Sequence, residues 1–261
     1  MTTLAVVSDT HLSADPVSAS ALRHALARIE AGTRPDALLL PGDLTADGDP
    51  AAYRLLRETL DPVAARLGVP VVTVMGNHDE GGAFRAALGA PESTTRVGGL
   101  RVIALDSTVP GHHHGLLGPA RLAALAAELD TPAPAGTVLV LHHPPLPSAV
   151  PSVDLLRLRD ADRLAEVVAG SDVRMIVSGH AHHAGAGALA GIPVWIAPAL
   201  VYQVDVFPPA GRLRGVAGAG ISRIDLIDGA TVASAVPLDG DPVYDVDAAE
   251  RIAWMRARIP G

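Results

Sequence analysis

An α/β fold is predicted by three observations. Short runs rich in Val, Ile and Leu recur along the 261 residues, and longer stretches of helical periodicity separate them. The first half reads βαβαβα, an order that favours central strands covered by helices. The composition, 49% hydrophobic and 18% charged, is globular and sufficient for a sizeable core.

Taken in order, the apolar runs place strands at Leu4–Ser8, Ala37–Leu40, Val69–Met75, Leu100–Leu105, Thr137–Leu141, Val173–Val177, Val194–Ala197, Ile221–Leu226 and Val232–Pro237. Helical patterns cover Val17–Glu30, Pro50–Leu67, Gly81–Leu88, Pro119–Leu129, Ala161–Ala169 and Ala248–Arg258. Asp228-Gly229 between the last two strands suits a tight hairpin turn. The proline-rich stretches Thr131–Gly136 and Pro144–Pro151 lie between core strands and mark no boundary. One domain over 1–261 is therefore expected. A C-terminal helix at about 247–258, with Ile252, Trp254 and Met255 as its apolar residues, is expected to pack on the core or on a second subunit.

Several function classes are disfavoured. The 20 basic residues, all arginine, against 28 acidic ones give a net charge of −8, so no nucleic-acid polymer is expected as a partner. With no cysteine there is no disulfide, thiolate metal site or thiol nucleophile. The uncharged run from His180 to Val204 is broken by Pro193, Pro198 and glycines, and is too interrupted to span a bilayer. MTTLAVVSD lacks the basic and apolar regions of a secretory signal, so a cytoplasmic protein is expected.

The chemistry lies at the strand ends. SDTH supplies Asp9 and His11, PGD supplies Asp43, and GNHD supplies Asn77, His78 and Asp79. HHPP supplies His142 and His143, and SGHAHH supplies His180, His182 and His183. In open α/β sheets ligands bind at the carboxyl ends of the strands, so these groups can converge although they are far apart in sequence. Imidazole and carboxylate without thiolate suit Mn, Fe, Zn or Co. Asp-x-His and His-x-His would put both side chains on one side of an extended segment. Asp43 is a carboxylate placed to bridge two ions ~3.5–4 Å apart. Asn77 is the only asparagine in the chain. Its amide oxygen can ligate an ion without adding charge, while its NH2 stays free for a phosphate oxygen.

The set D-x-H, GD, GNH-D, H and GH-x-H resembles the calcineurin-like metallophosphoesterase superfamily over nearly the whole chain. VPGHHHG, LHHPP and RPDALLLPGDL are similar to its class III cyclic nucleotide phosphodiesterases. The resemblance implies a four-layer sandwich, two central β-sheets flanked by α-helices. It implies that Asp9, His11 and His182 hold one metal, that Asn77, His142 and His180 hold the second, and that Asp43 bridges them. It favours His142 over His143 as ligand. One departure is Ala46, where some members carry an acidic residue.

The implied reaction is hydrolysis of 3′,5′- or 2′,3′-cyclic AMP by a hydroxide bridging two metal ions. His78 is the candidate general acid, held by Asp79 or a nearby carboxylate. His113 and His114, with Asn77 and His78, are candidate substrate contacts. Glycerophosphodiesters or a phosphomonoester are the alternative substrates. A metal-free scaffold of the same fold is a further alternative, disfavoured because all seven ligands are present. A homodimer is expected from the same resemblance.

Overall fold

The apolar runs build layers by alternation, as the segment Ala37–Pro41 shows. Leu38 and Leu40 join one hydrophobic cluster with residues of the helices, whereas Leu39 joins another on the opposite face. Successive side chains of a strand point to opposite faces, so a continuous run of leucines fits a strand buried on both sides.

The computed structural model describes residues 1–258. Its first half contains β1 (Thr2–Val6), α1 (Ser20–Ala31), β2 (Ala37–Pro41), α2 (Pro50–Leu67), β3 (Val71–Val74), α3 (Gly81–Leu88), β4 (Ser93–Val97), β5 (Leu100–Ala104) and α4 (Gly118–Leu129). There follow β6 (Thr137–Val140), α5 (Pro151–Leu156), α6 (Ala161–Val168), β7 (Val173–Ser178), β8 (Gly185–Leu189) and β9 (Ile192–Ile196). The chain continues with β10 (Gln203–Val204), β11 (Gly215–Val216), β12 (Gly220–Ile227), β13 (Ala230–Pro237) and α7 (Ala248–Arg256).

One sheet has the order β13-β12-β1-β2-β3 and the other β4-β5-β6-β7-β9-β8; β10 and β11 form a separate ribbon. In the first sheet β1, β2 and β3 run parallel and β12 and β13 add antiparallel pairings on one side; in the second β5, β6, β7 and β9 run parallel between antiparallel edge strands β4 and β8. Leu4, Val6, Leu39 and Val74 of the first sheet meet Val102, Val138, Val140 and Val177 of the second in a shared interior. Helices α1 to α3 cover the outer face of the first sheet, and α4 and α6 cover that of the second. This is the expected four-layer sandwich.

Some elements escaped the sequence. β4 (STTRV) and β8 (GAGAL) are largely exposed edge strands with little apolar surface to bury. Their strand character comes from pairing with β5 and β9. Asp228 and Gly229 both have positive φ, as a type I′ hairpin turn requires. Of the two packings expected for the C-terminal helix, on the core or on a second subunit, the first is not seen within the chain: no residue of α7 is buried. Its Trp254 is instead flanked within the same segment by the guanidinium carbons of Arg251 and Arg258, 4.4 and 3.9 Å from the ring centroid. No helix among the described residues is long and apolar enough to cross a membrane.

Candidate metal centre

At the carboxyl ends of β1, β2, β3, β6 and β7 the backbone leaves the extended conformation. Among the described residues seven non-glycines have positive φ, and five of them are Asp9, His11, Asp43, His180 and His182. Non-glycine residues rarely adopt that conformation and it carries strain, which collects at functional sites. The expectation of an extended Asp-x-His and His-x-His is therefore corrected. Left-handed turns, not strand alternation, aim these side chains.

The turned side chains form two adjoining groups. In the first, His11 Nε2 lies 3.1 Å from His182 Nε2 and 3.5 Å from Asp43 Oδ2, and His182 Nε2 lies 3.5 Å from Asp9 Oδ1. In the second, His142 Nε2 lies 3.2 Å from Asn77 Oδ1, 3.1 Å from His180 Nδ1 and 3.4 Å from Asp43 Oδ1. The two oxygens of Asp43 thus face different groups. Donors held about 2.1 Å from one ion stand roughly 3 Å apart when adjacent, so these spacings fit metal coordination.

Charge supports the same fit. Asp9 and Asp43 are 0% and 2% exposed, and the only basic side chains within ion-pair distance of them among the described residues are histidines. Buried carboxylates need a cation nearby. Burial disfavours ionisation of Asp43, but His142 outweighs it and holds the carboxyl well below its usual range. Burial likewise opposes the charged form of His142, yet Asp43 lifts that imidazole to about 9. Burial, with His142 next, pushes His180 down to about 3. His11 is also lowered by burial. A bound cation would take the place of the His142 proton, and neutral imidazole, ionised carboxylate and one amide oxygen would then be a donor set for borderline cations.

Hydrogen bonds fix the orientation of the ligands. His142 Nδ1–H donates to the Pro41 carbonyl at 2.8 Å, which leaves Nε2 for the centre. Asp9 accepts from Ser8 Oγ at 2.5 Å and from the His180 amide at 3.0 Å. Asp43 Oδ1 accepts from the His78 amide at 2.9 Å. His143 is committed elsewhere: Ser107 Oγ donates to its Nδ1 at 2.8 Å, and its Nε2–H donates to the His113 carbonyl at 3.2 Å. His143 thus ties down the histidine loop, and its proximity to His142 and His180 does not leave it a free donor atom.

Glycine makes the packing possible. A Cβ on Gly76 would stand 2.1 Å from Asp43 Oδ1, and one on Gly179 would stand 2.1 Å from Ser8 Oγ and 2.6 Å from Asp9 Oδ2. Gly42 combines a φ of +89° with a site where a Cβ would stand 2.5 Å from His142 Nδ1.

The remaining sequence candidates divide. His78 is exposed, its Nδ1–H donating to the Ala46 carbonyl at 2.9 Å and its ring 4.8 Å from that of His11. A backbone carbonyl therefore holds His78, and the side chain present at position 46 is immaterial to that contact. The expected Asp79–His78 contact is corrected. Asp79 instead accepts from the amides of Leu44, Thr45 and Gly76 and from Tyr53 Oη at 2.8 Å, joining the loops after β2 and β3. Asn77 NH2 is not wholly free, because it lies 3.2 Å from His113 Nδ1. His113 reaches the cleft beside the ligands, but His114 stands against His112 and lines neither cleft described below. His183 lies 3.2 Å from its neighbour Ala184's carbonyl and belongs to neither ligand group.

A cleft of about 450 Å³ opens over the ligands, with Val153, Leu156, Val201, Tyr202 and Val204 on its far wall. A second cleft of about 660 Å³ meets it at Asn77 and His113 and runs past Glu80, Arg85, Asp106 and Arg121. Tyr53, Ser107 and Tyr202 were missed from sequence, since none sits in a chemistry-bearing motif and only the fold brings them here.

Stacked sheets with an Asp, His and Asn cluster at their strand ends describe a class, the metallohydrolases. The chain belongs to the calcineurin-like phosphoesterase family, whose sequence model matches residues 2–184. It is 43% identical to a probable cyclic nucleotide phosphodiesterase of Rhodococcus erythropolis, over 97% of this chain and 91% of that one. It is 44% identical to a cAMP/cGMP dual specificity phosphodiesterase of Mycobacterium tuberculosis, over 81% of this chain and 69% of that one. The fold is also that of GAP50, the anchor in the inner membrane complex of Plasmodium. That structure aligns with a TM-score of 0.67 at 14% identity, over 93% of this chain and 87% of its own.

Proposed function

We propose that the chain is a dinuclear-metal phosphodiesterase acting on cyclic nucleotides. The observation that carries this reading is the division of Asp43, whose Oδ2 faces His11 and Oδ1 faces His142. Asp9, His11 and His182 would hold one ion, and Asn77, His142 and His180 the other. When bound, two such cations neutralise phosphate charge and lower the pKa of a coordinated water from 15.7 towards about 7. The shared interior of the two sheets supports treating the chain as one catalytic domain. The cyclic-nucleotide assignment is supported by the activities named for the two bacterial relatives.

The protein's own groups divide the remaining work. With Nδ1–H held by Ala46, His78 carries its transferable proton on Nε2. As imidazolium it donates that proton to the departing alkoxide oxygen, and ring opening yields a nucleoside monophosphate. Asn77 has a second amide N–H beyond the one facing His113, and this N–H grips a non-bridging phosphate oxygen. Asp79 acts by position, keeping Gly76 and Leu44 together so that Asp43 and Asn77 stay in register.

His78→Ala should leave both metals bound and lower turnover of a cyclic nucleotide about 10²–10⁴-fold, the range for loss of a general acid. A p-nitrophenyl diester, whose leaving group needs no proton, should lose much less. Equal losses on both substrates would make His78 a positioning group only. Asn77→Asp should also retain metal, measured by elemental analysis. Its added charge beside the phosphate should lower turnover at least about tenfold, and unchanged turnover would overturn the role given to the amide. The substrate assignment is tested by a panel assayed with added Mn: 3′,5′-cyclic AMP, 2′,3′-cyclic AMP, a glycerophosphodiester and a phosphomonoester. Cyclic nucleotides that stay inert while another substrate turns over would reject it.

A further inference from the structure

Two clefts leave the metal centre, and a cyclic nucleotide has only one nucleoside to place. The larger carries Asp79, Glu80, Arg85, Asp106 and Arg121 among its lining groups, the last already paired to Glu92 and Asp106. The smaller differs in chemistry. Beyond the ligands and beyond His78 and His113, its wall is apolar: Val153, Leu156, Ala181, Val201, Val204 and the ring of Tyr202.

Tyr202 is placed like a platform. Its ring centroid lies 4.4 Å from that of His182, at 44° between planes, so it is an aromatic surface directly beside the metal ligands. It remains 46% exposed. The β10–β11 ribbon supports it: a Cβ on Gly215 of β11 would stand 3.3 Å from the ring's Cδ2. The ribbon is in turn anchored to the site, because the Val204 amide donates to the His182 carbonyl at 2.6 Å. A half-exposed aromatic face in an apolar wall offers a purine a stacking partner and dry surface. The larger cleft offers only the imidazoles of His112 and His113 as rings, and its apolar residues Met75, Val109 and Pro110 are set among Asp79, Glu80, Arg85, Asp106 and Arg121. Base–aromatic stacking contributes substantially even where no base edge is read.

We propose that Tyr202, with the apolar wall of Val153, Leu156, Val201 and Val204, is the nucleobase subsite of this phosphodiesterase. This rests on the cyclic-nucleotide reading above. The product nucleotide allows the subsite to be tested by binding alone. Manganese-loaded protein is titrated with AMP, ribose 5-phosphate and inorganic phosphate by calorimetry. The wild type should bind AMP at least about tenfold more tightly than ribose 5-phosphate. Tyr202→Ala should remove that difference and leave phosphate binding and metal content unchanged, whereas Tyr202→Phe, which keeps the ring, should preserve it. Equal binding of AMP and ribose 5-phosphate by the wild type would overturn the subsite. So would loss of AMP affinity in Arg85→Ala but not in Tyr202→Ala, which would move the base into the charged cleft. A Tyr202→Phe variant as weak as Tyr202→Ala would replace stacking with a role for the hydroxyl. Failure of the phosphodiesterase reading is separate: it appears as cyclic nucleotides left intact by the wild-type protein.

Discussion

Asp43→Ala is expected to abolish turnover, by more than about 10³-fold, and to lower the occupancy of both metals together. The size follows from its position. The carboxylate faces His11 on one side and His142 on the other, and it also accepts the His78 amide. Removing it takes away a donor from each ion and the backbone contact that holds the proposed acid. Loss of a single preorganised electrostatic contact already costs about 10²–10³ in rate, and this substitution removes more than one. Elemental analysis after dialysis against Mn, beside a rate measurement, checks the prediction. Near-normal turnover, or a full two equivalents of metal, would make the bridging assignment untenable. His11→Ala is the useful comparison, because it should weaken one metal position more than the other.

Gly76→Ala should be nearly as damaging, although it removes no functional group. The ordinary effect of Gly→Ala at an unstrained position is a gain of roughly 0.4–1 kcal/mol, through lower entropy of the unfolded chain. Gly76 is not in the left-handed region, so that gain applies in principle. The contact decides the sign. A methyl there would meet Asp43 Oδ1 at 2.1 Å and the Asp43 backbone N at 2.3 Å. The backbone cannot swing aside as a flexible side-chain end could, so the loops after β2 and β3 must separate. Overpacking of this kind costs about 1–3 kcal/mol, more than the entropic gain. The separation also moves Asp43 away from the position it shares between the two groups. Expected results are a lower denaturation midpoint, weakened metal binding and a loss of turnover approaching that of Asp43→Ala. A more stable variant with normal metal content would show that the loops have room the geometry denies. Gly89→Ala is a suitable control for strain without a clash, since a Cβ there has no neighbour within 4 Å but its φ is +89°.

Much of the fold was legible because burial leaves a periodic trace. Leu38, Leu39 and Leu40 form an uninterrupted apolar run for the same reason that they serve two clusters, and the run announces a two-sided strand. β4 and β8 left no such trace, because an edge strand needs pairing more than it needs hydrophobicity. The ligand residues were legible for a different reason. Asp9, Asp43, Asn77, His142 and His180 each follow an apolar run, and their chemistry restricts what can replace them.

What the sequence determined by itself was therefore local: which segments bury both faces, which residue types sit at their ends, and which family pattern they make. The tertiary structure decided how those ends are used. It turned Asp9, His11, Asp43, His180 and His182 into left-handed conformations that their spacing did not predict. It gave His78 to the carbonyl of Ala46 rather than to Asp79, and it spent His143 on the histidine loop. It set Tyr202 beside His182, across twenty residues of chain that include β8 and β9. The physical reason is common to all of these. Backbone direction at a strand end, and the partner a side chain finds, depend on atoms brought in from distant strands, and a one-dimensional pattern records only the residue and not its neighbours.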